Sequence, residues 1–456
     1  MLYRKVYDKL TEWKIEPQKK ALCLIGARQI GKTTIIRKFG KEQYEKFVEI
    51  NFITQPDAVR IFEGNLDADS IILLLTAFAQ TELIPGKTLV FLDEIQECPN
   101  ARTAIKFLVE DGRFDYIESG SLLGVKYNEV RSFPVGFEEI YYMYPMNLEE
   151  YLRANGVPDS TFQYLKDCYD NRIPVMETVH ETMCKLFYTY LVVGGMPDVV
   201  QTYVDTHDIA KVIARQTEIL ELYRQDISQY AQGSEKQKIK AIFDSIPSQL
   251  NEKNRRFILT SVSSNARQQR YAESFNRMSD AGVSLPCYNV AAPQPPLRLN
   301  EKHNLFKLFM CDTGLLCAAG MENVQFGILK GDLQINMGSI LENMIAQQIK
   351  ANGFSLNYFD SKKTGEVDFV VQNGLGVELI EVKSGNDYKR HPSLTKMMKV
   401  PEWKFQKASV LCRGNIEVDD GINYYPWYMI MFMTAYRPPE KLLYEVDISS
   451  LPRIYV

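Results

Sequence analysis

The stretch Ala21-Leu22-Cys23-Leu24-Ile25-Gly26-Ala27-Arg28-Gln29-Ile30-Gly31-Lys32-Thr33 decides the fold. Its first five residues are an unbroken apolar run, the mark of a strand buried on both faces in a parallel sheet. The next eight match G-x-x-x-x-G-K-[ST] and lead into a helical pattern, which is the context this motif needs. The glycines let successive backbone N–H groups converge on one concavity, and the following helix adds positive partial charge. A triphosphate fits such a cradle. Gly26, Ala27, Arg28, Gln29, Ile30, Gly31, Lys32, Thr33 and Thr34 are therefore expected to bind ATP. Lys32 would reach the β- and γ-phosphate oxygens, and the Thr33 hydroxyl would ligate Mg2+.

Downstream, Thr88-Leu89-Val90-Phe91-Leu92-Asp93-Glu94 is an apolar strand ending in two carboxylates. Asp93 is expected to hold Mg2+, directly or through water, and Glu94 to act as general base on the attacking water. Ile117-Glu118-Ser119-Gly120-Ser121 is the candidate neighbouring strand, with Ser119 at its end as a γ-phosphate sensor. Around these motifs residues 20 to about 145 alternate strands and helices, implying a parallel sheet. The reading places strands over Phe47 to Phe52, Thr88 to Leu92 and Tyr116 to Ser119. Helices are expected over Ser70 to Gln80 and from Pro99 to just before Gly112. Residues 147 to 232 read as helical, interrupted by a turn at Val193-Gly194-Gly195-Met196-Pro197. A proline-rich stretch, Ala292-Pro293-Gln294-Pro295-Pro296, follows. Near the end a helix from Ser339 to Asn352 precedes strands over Glu366 to Val371 and Val377 to Lys383.

These last strands carry a second constellation. Asp368 and Glu381-x-Lys383 fit the PD-(D/E)xK pattern of metal-dependent nucleases. Side chains alternate along a strand, so Glu381 and Lys383 share one face. Asp368 is expected on the polar side of its strand, with Val367, Phe369 and Val371 opposite. Adjacent strands would then join Asp368 and Glu381 as metal ligands, Glu342 on the preceding helix would support them, and Lys383 would orient or deprotonate water.

In this order the motifs resemble a broad family of prokaryotic AAA-type ATPases with an uncharacterised C-terminal domain. The marks are the P-loop, Leu92-Asp93-Glu94-Ile95-Gln96, Glu118-Ser119-Gly120-Ser121, Tyr144-Pro145-Met146 with Glu149-Glu150-Tyr151, Gly194-Gly195-Met196-Pro197, Asp312-Thr313-Gly314-Leu315-Leu316, and Glu366-Val367-Asp368 with Glu381-Val382-Lys383. The resemblance implies an α/β chain in four parts. They are an AAA-like P-loop NTPase domain over 1–146, a helical lid over 147–234, a winged-helix-like segment over 235–322, and a restriction-endonuclease-like α/β domain over 323–456. One departure stands out. Relatives usually carry a basic residue after a segment like Pro134-Val135-Gly136, whereas here Phe137 follows. If that residue completes a neighbouring ATP site, Arg131 or Arg224 would have to replace it.

Composition narrows the partners. The net charge of -4 and pI near 5.8 exclude a globally basic nucleic-acid binder, so any such binding needs local patches. Two are present, Lys389-Arg390 with Lys396, Lys399, Lys404, Lys407 and Arg413, and Lys253, Arg255, Arg256, Arg267 and Arg270. The longest apolar runs, Ile71 to Ala79 and Trp427 to Tyr436, fall short of the ~20 residues that cross a bilayer. The N-terminus reads as an amphipathic helix with Leu2, Val6, Leu10 and Trp13 on one face, not as a secretory signal. Eight cysteines without a C-x-x-C pair, and four histidines, argue against zinc and for a reducing cytoplasm. The expectation is a cytoplasmic Mg-ATP hydrolase acting on DNA through its C-terminal domain, with homo-oligomerisation open. A regulatory ATP switch that binds a protein partner through an inert nuclease-like platform is the alternative. A third reading is a nuclease whose assembly ATP gates.

Overall fold

The computed structural model describes residues 2–120, 134–229, 233–252, 256–262, 268–320, 325–330, 337–436, 438 and 443–446, except the side chains of 228, 229, 234, 261, 262, 268–270 and 272. The first elements are α1 (Val6–Lys14), β1 (Ala21–Ile25), α2 (Lys32–Gln43), β2 (Lys46–Asn51), α3 (Ala68–Ala79), β3 (Thr88–Asp93), α4 (Pro99–Asp111), β4 (Asp115–Gly120) and β5 (Glu138–Tyr142). All five strands run parallel, in the order β2-β3-β4-β1-β5. The unbroken apolar runs follow from this. Leu22, Leu24, Leu89, Phe91 and Ile117 pack against Ile36 and Phe39 of α2 on one side. Ala21, Val90, Leu92 and Tyr116 pack against Ile71, Leu75, Ile105 and Leu108 of α3 and α4 on the other. Helix ends follow local chemistry. Asp67 caps α3 by accepting the Ser70 N–H at 2.9 Å, and Gly112 ends α4 with φ of +71°.

Five helices follow: α5 (Leu148–Ala154), α6 (Asp159–Asn171), α7 (Glu177–Val193), α8 (Pro197–Thr206) and α9 (Ile209–Gln229). Next come α10 (Ser234–Asn251), α11 (Leu259–Val262), α12 (Gln268–Asp280), β6 (Ser284–Val290), β7 (Glu301–Met310), α13 (Thr313–Gly320) and α14 (Gln325–Leu329). The last group is α15 (Gly338–Ala351), β8 (Asn357–Ser361), β9 (Gly365–Val367), β10 (Phe369–Asn373), β11 (Gly376–Val382), α16 (Pro392–Met398), β12 (Lys407–Cys412), β13 (Glu417–Asp419) and β14 (Ile422–Pro426). They form a mixed sheet, β10-β11-β12-β14-β13, and a four-stranded sheet, β7-β6-β8-β9. The second sheet crosses the boundary expected at 322/323, because β6 pairs antiparallel with β7 and parallel with β8.

One strand expectation is corrected. The run Glu366 to Val371 is not continuous. It breaks at Asp368, and β9 pairs with β8 while β10 pairs with β11. Val367, Phe369, Val370 and Val371 are all buried, so the chain does not alternate as a one-faced strand would. Leaving one sheet for the other turns this segment inward on both sides.

The shared motifs converge in space. Arg4 donates to Ile30 O at 2.6 Å and Tyr144 O at 2.7 Å, and pairs with Glu150 at 3.2 Å. Glu150 completes the capping box that Asn147 opens on α5. Met146 N–H donates to Gly195 O at 2.6 Å, and a Cβ on Gly195 would stand 2.0 Å from Met146 O. Gly195 N–H in turn donates to Asp312 at 2.5 Å. Asp312 also accepts the Leu315 N–H, and its full burial pushes its carboxyl up to about 6. All eight cysteines are buried and free. Among the described residues no helix is long and apolar enough to cross a membrane.

Candidate functional site

The loop from Gly26 to Gly31 leaves the carboxyl end of β1 and α2 begins at Lys32. Gly26 has φ of +152°, and a Cβ there would stand 2.2 Å from Met143 O. Gly31, with φ of +91°, is the left-handed residue that opens α2. Ala27 and Ile30 bury their side chains, leaving their backbone to the cradle. Lys32 Nζ donates to Gly26 O and Ala27 O, both at 2.8 Å. Burial pushes its ammonium down to about 8, against the opposing pull of Glu94 and Asp93. Thr34 is exposed.

β4 lies between β1 and β3, so three strand ends align. Asn51 is in register with Asp93, and Asp93 with Ser119. Asp93, only 2 % exposed, accepts from Asn51 Nδ2 at 2.9 Å, from the Ser119 hydroxyl, and from Thr33 Oγ1 at 3.1 Å. Glu94 adopts the left-handed conformation, φ 56° and ψ 48°, rare for a residue with a side chain. Its Oε2 accepts from Gln96 Nε2 at 2.5 Å. The expected residues Lys32, Thr33, Asp93, Glu94 and Ser119 thus gather at the carboxyl ends of β1, β3 and β4.

Sequence reasoning missed Asn51, which a polar residue closing the strand before the turn could have signalled. It also missed the cover on the loop from distant elements. Tyr223 of α9 donates to Arg28 O at 2.8 Å, and Asp226 pairs with Arg28 at 2.7 Å. Burial pushes the Asp226 carboxyl up, with Arg28 opposing. A Cβ on Gly282, just past α12, would stand 2.9 Å from Ala27 N. Of the two replacement arginines, Arg224 is paired with Asp244 at 2.7 Å and with Glu221, and Arg131 lies outside the described residues.

The second constellation also assembles, although its strand is broken. Phe369 is in register with Ile380, which brings Asp368 beside Glu381. Asp368 Oδ2 accepts the Val382 N–H at 2.8 Å, and Lys383 Nζ donates to Glu381 Oε1 at 2.8 Å. Glu381 Oε2 is buried with no hydrogen-bond partner among the described residues. Burial first, then Asp368, pushes Glu381 up to about 7, with Lys383 opposing. Glu342, expected as a supporting ligand, is fully enclosed on α15. It faces Lys307 of β7, 0 % exposed, at 3.3 Å, and Lys307 also meets Glu366 at 2.6 Å. Lys307 gave no signal in sequence, since a lone lysine in an apolar strand normally faces water.

The basic runs are partly committed. Lys389 pairs with Glu417, Arg256 with Asp360, and Lys407 donates to the Tyr169 hydroxyl. Arg390, Lys396, Lys399, Lys404 and Arg413 are exposed. Lys253, Arg255, Arg267 and the Arg270 side chain lie outside the described residues.

Residues 18–152 match the family model described as AAA domain. Residues 184–325 and 337–430 match two models, each described as a domain of unknown function (DUF8612 and DUF4143). No curated protein matches the chain. Similar solved structures include the Walker-type ATPase PABY2304 of Pyrococcus abyssi, 12% identical, covering 70% of this chain and 96% of that one, with a TM-score of 0.40. The Aeropyrum pernix ORC1 protein in complex with DNA is 13% identical, covers 72% and 94%, and scores 0.29. The Thermotoga maritima RuvB Holliday junction branch migration motor is 14% identical, covers 62% and 89%, and scores 0.29. All three scores are below 0.5. The family match and the parallel sheet with its P-loop make the N-terminal part an AAA-type P-loop ATPase domain.

Proposed function

We propose that this chain binds and hydrolyses Mg-ATP at the carboxyl ends of β1, β3 and β4, and couples turnover to DNA binding or processing through its C-terminal part. The spacing of Thr33 and Asp93 carries the first half of the reading. Neighbouring ligands of an octahedral Mg2+ at ~2.1 Å stand about 3.0 Å apart. The Thr33 hydroxyl and Asp93 Oδ2 already stand 3.1 Å apart. Those two residues would hold the ion, which when bound offsets charge on the β- and γ-phosphates. The backbone from Gly26 to Thr34 would cradle the phosphates, and Lys32 would leave its loop carbonyls to meet them. Glu94 would take the proton of the attacking water, and Ser119 would report the γ-phosphate through Asp93.

The second half rests on the buried Glu381 Oε2, which lies beside Asp368 and has no hydrogen-bond partner among the described residues. Asp368 and Glu381 would hold a divalent cation, which would satisfy that oxygen. Lys383 would orient water at a phosphodiester. Exposed Arg390, Lys396, Lys399 and Lys404 follow β11 and suit a nucleic-acid backbone. One observation favours the alternative, a regulatory switch with an inert platform. Lys307 already neutralises Glu342 and Glu366, removing the supporting ligand from any metal.

Supercoiled plasmid in Mg2+ buffer, with and without ATP, decides between them. The proposal expects DNA to raise the ATPase rate, and any cleavage to vanish in Lys383→Ala and Asp368→Ala. Cleavage that survives Lys32→Ala points to a nuclease independent of hydrolysis. Neither cleavage nor a DNA effect on ATPase rate leaves the protein-binding switch.

A further inference from the structure

Glu94 sits on a turn whose backbone strains it, and its side chain is tethered by a residue to which no role has been assigned. The turn is a short 3-10 segment, Ile95 to Glu97, that follows Glu94 directly. Gln96 lies at its middle, 8 % exposed, and its amide reaches back to Glu94 Oε2 at 2.5 Å. On the far side the same amide presses on β4. A Cβ on Gly120 would stand 2.5 Å from Gln96 Oε1 and 3.3 Å from Ile95 Cγ2. Gly120 has no unusual backbone of its own, so its want of a side chain makes room for Gln96. The amide is therefore wedged between β4 and the Glu94 carboxylate.

We propose that Gln96 is a positioning residue for ATP hydrolysis, holding the Glu94 carboxylate in one rotamer by donating an N–H to Oε2 and leaving Oε1 for the water. The inference rests on the reading of Glu94 as the base. A carboxylate free to rotate spends part of its time out of line, and misplacement of about 1 Å at a reacting group costs up to roughly a hundredfold in rate. Gln96 does not touch phosphate in this account, so its loss lowers kcat without weakening ATP binding.

The test compares Gln96→Leu, similar in volume but without a donor, with Gln96→Glu, isosteric but with oxygen in place of the N–H. ATP affinity is read by calorimetry in Mg2+ buffer with the Glu94→Gln variant alongside. Both Gln96 variants are expected to bind ATP within about twofold of the parent and to lose about tenfold to a hundredfold in kcat, with unchanged melting temperature in Gln96→Leu, whereas Gln96→Glu also sets a carboxylate against Glu94 and is expected to melt lower. Parental kcat in both, while Glu94→Gln is inactive, overturns this role alone. So does a loss of kcat in Gln96→Leu that is matched by loss of affinity and melting temperature. Parental turnover in Glu94→Gln overturns the reading of the base together with this role.

Discussion

Two charged residues of the N-terminal part, Lys32 at the start of α2 and Glu118 on β4, show how much burial is asked of single side chains. Lys32 satisfies its ammonium with loop carbonyls and is pushed down to about 8 for want of water. Glu118 has no such recourse. It is 0 % exposed, and neither carboxylate oxygen has a hydrogen-bond partner among the described residues. Burial, then the Glu138 carboxylate, raises its pKa well above the ordinary range, with Arg102 opposing. A raised native value means that the stabilising contribution is complete below the ordinary carboxylate pKa and is lost as pH rises through the native one. Glu118→Gln removes that loss. Its melting temperature should match the parent near about pH 5 and exceed it by roughly 2–4 °C near about pH 9. A parallel decline of both proteins across that range, followed by circular dichroism, contradicts the assignment. The sequence alone placed Glu118 in a candidate strand. That its side chain faces the α4 layer, not the cleft, depends on the register with Cys23, which only the sheet defines.

At the scale of elements, the cleft was legible where one element carries the chemistry and obscure where two do. The elements around the P-loop and the strand ending at Asp93 were legible, because strand, loop and helix are contiguous and their periods are unambiguous. Asp368 and Glu381 lie side by side as adjacent strands would bring them, yet the strand bearing Asp368 was read as continuous. Its break reflects a change of partner sheet, which leaves no mark on local alternation. The cover on the P-loop was invisible for the same reason, since α9 and the turn after α12 lie far along the chain. Gly282 is the most exacting part of that cover. It combines φ of +71° with the close approach to Ala27. Gly282→Ala should destabilise the protein by about 1–3 kcal/mol through strain and steric conflict. A denaturant midpoint equal to the parent's shows that the turn does not pack on the loop as described.

For the molecule as a whole, the motifs shared with the AAA-type resemblance form one physical chain of contacts. It runs from the P-loop through Arg4 and Glu150, past Met146 and Gly195, to Asp312 beside α13. Their order was plain in the sequence, but their convergence was not, because each link joins residues distant along the chain. Within the basic runs, Lys389 and Arg256 have acidic partners, Glu417 and Asp360, that come from other elements and leave no mark on the runs themselves. Everything proposed for the molecule depends on the cleft accepting a magnesium nucleotide. Calorimetric titration of Mg-ATP into the parent, Lys32→Ala and Glu94→Gln, with phosphate release followed in parallel, tests this most directly. The account predicts saturable binding by the parent and by Glu94→Gln, no measurable binding by Lys32→Ala, and turnover in Glu94→Gln reduced by about a hundredfold or more. Equal binding by Lys32→Ala and the parent, or no binding by any of the three, contradicts it.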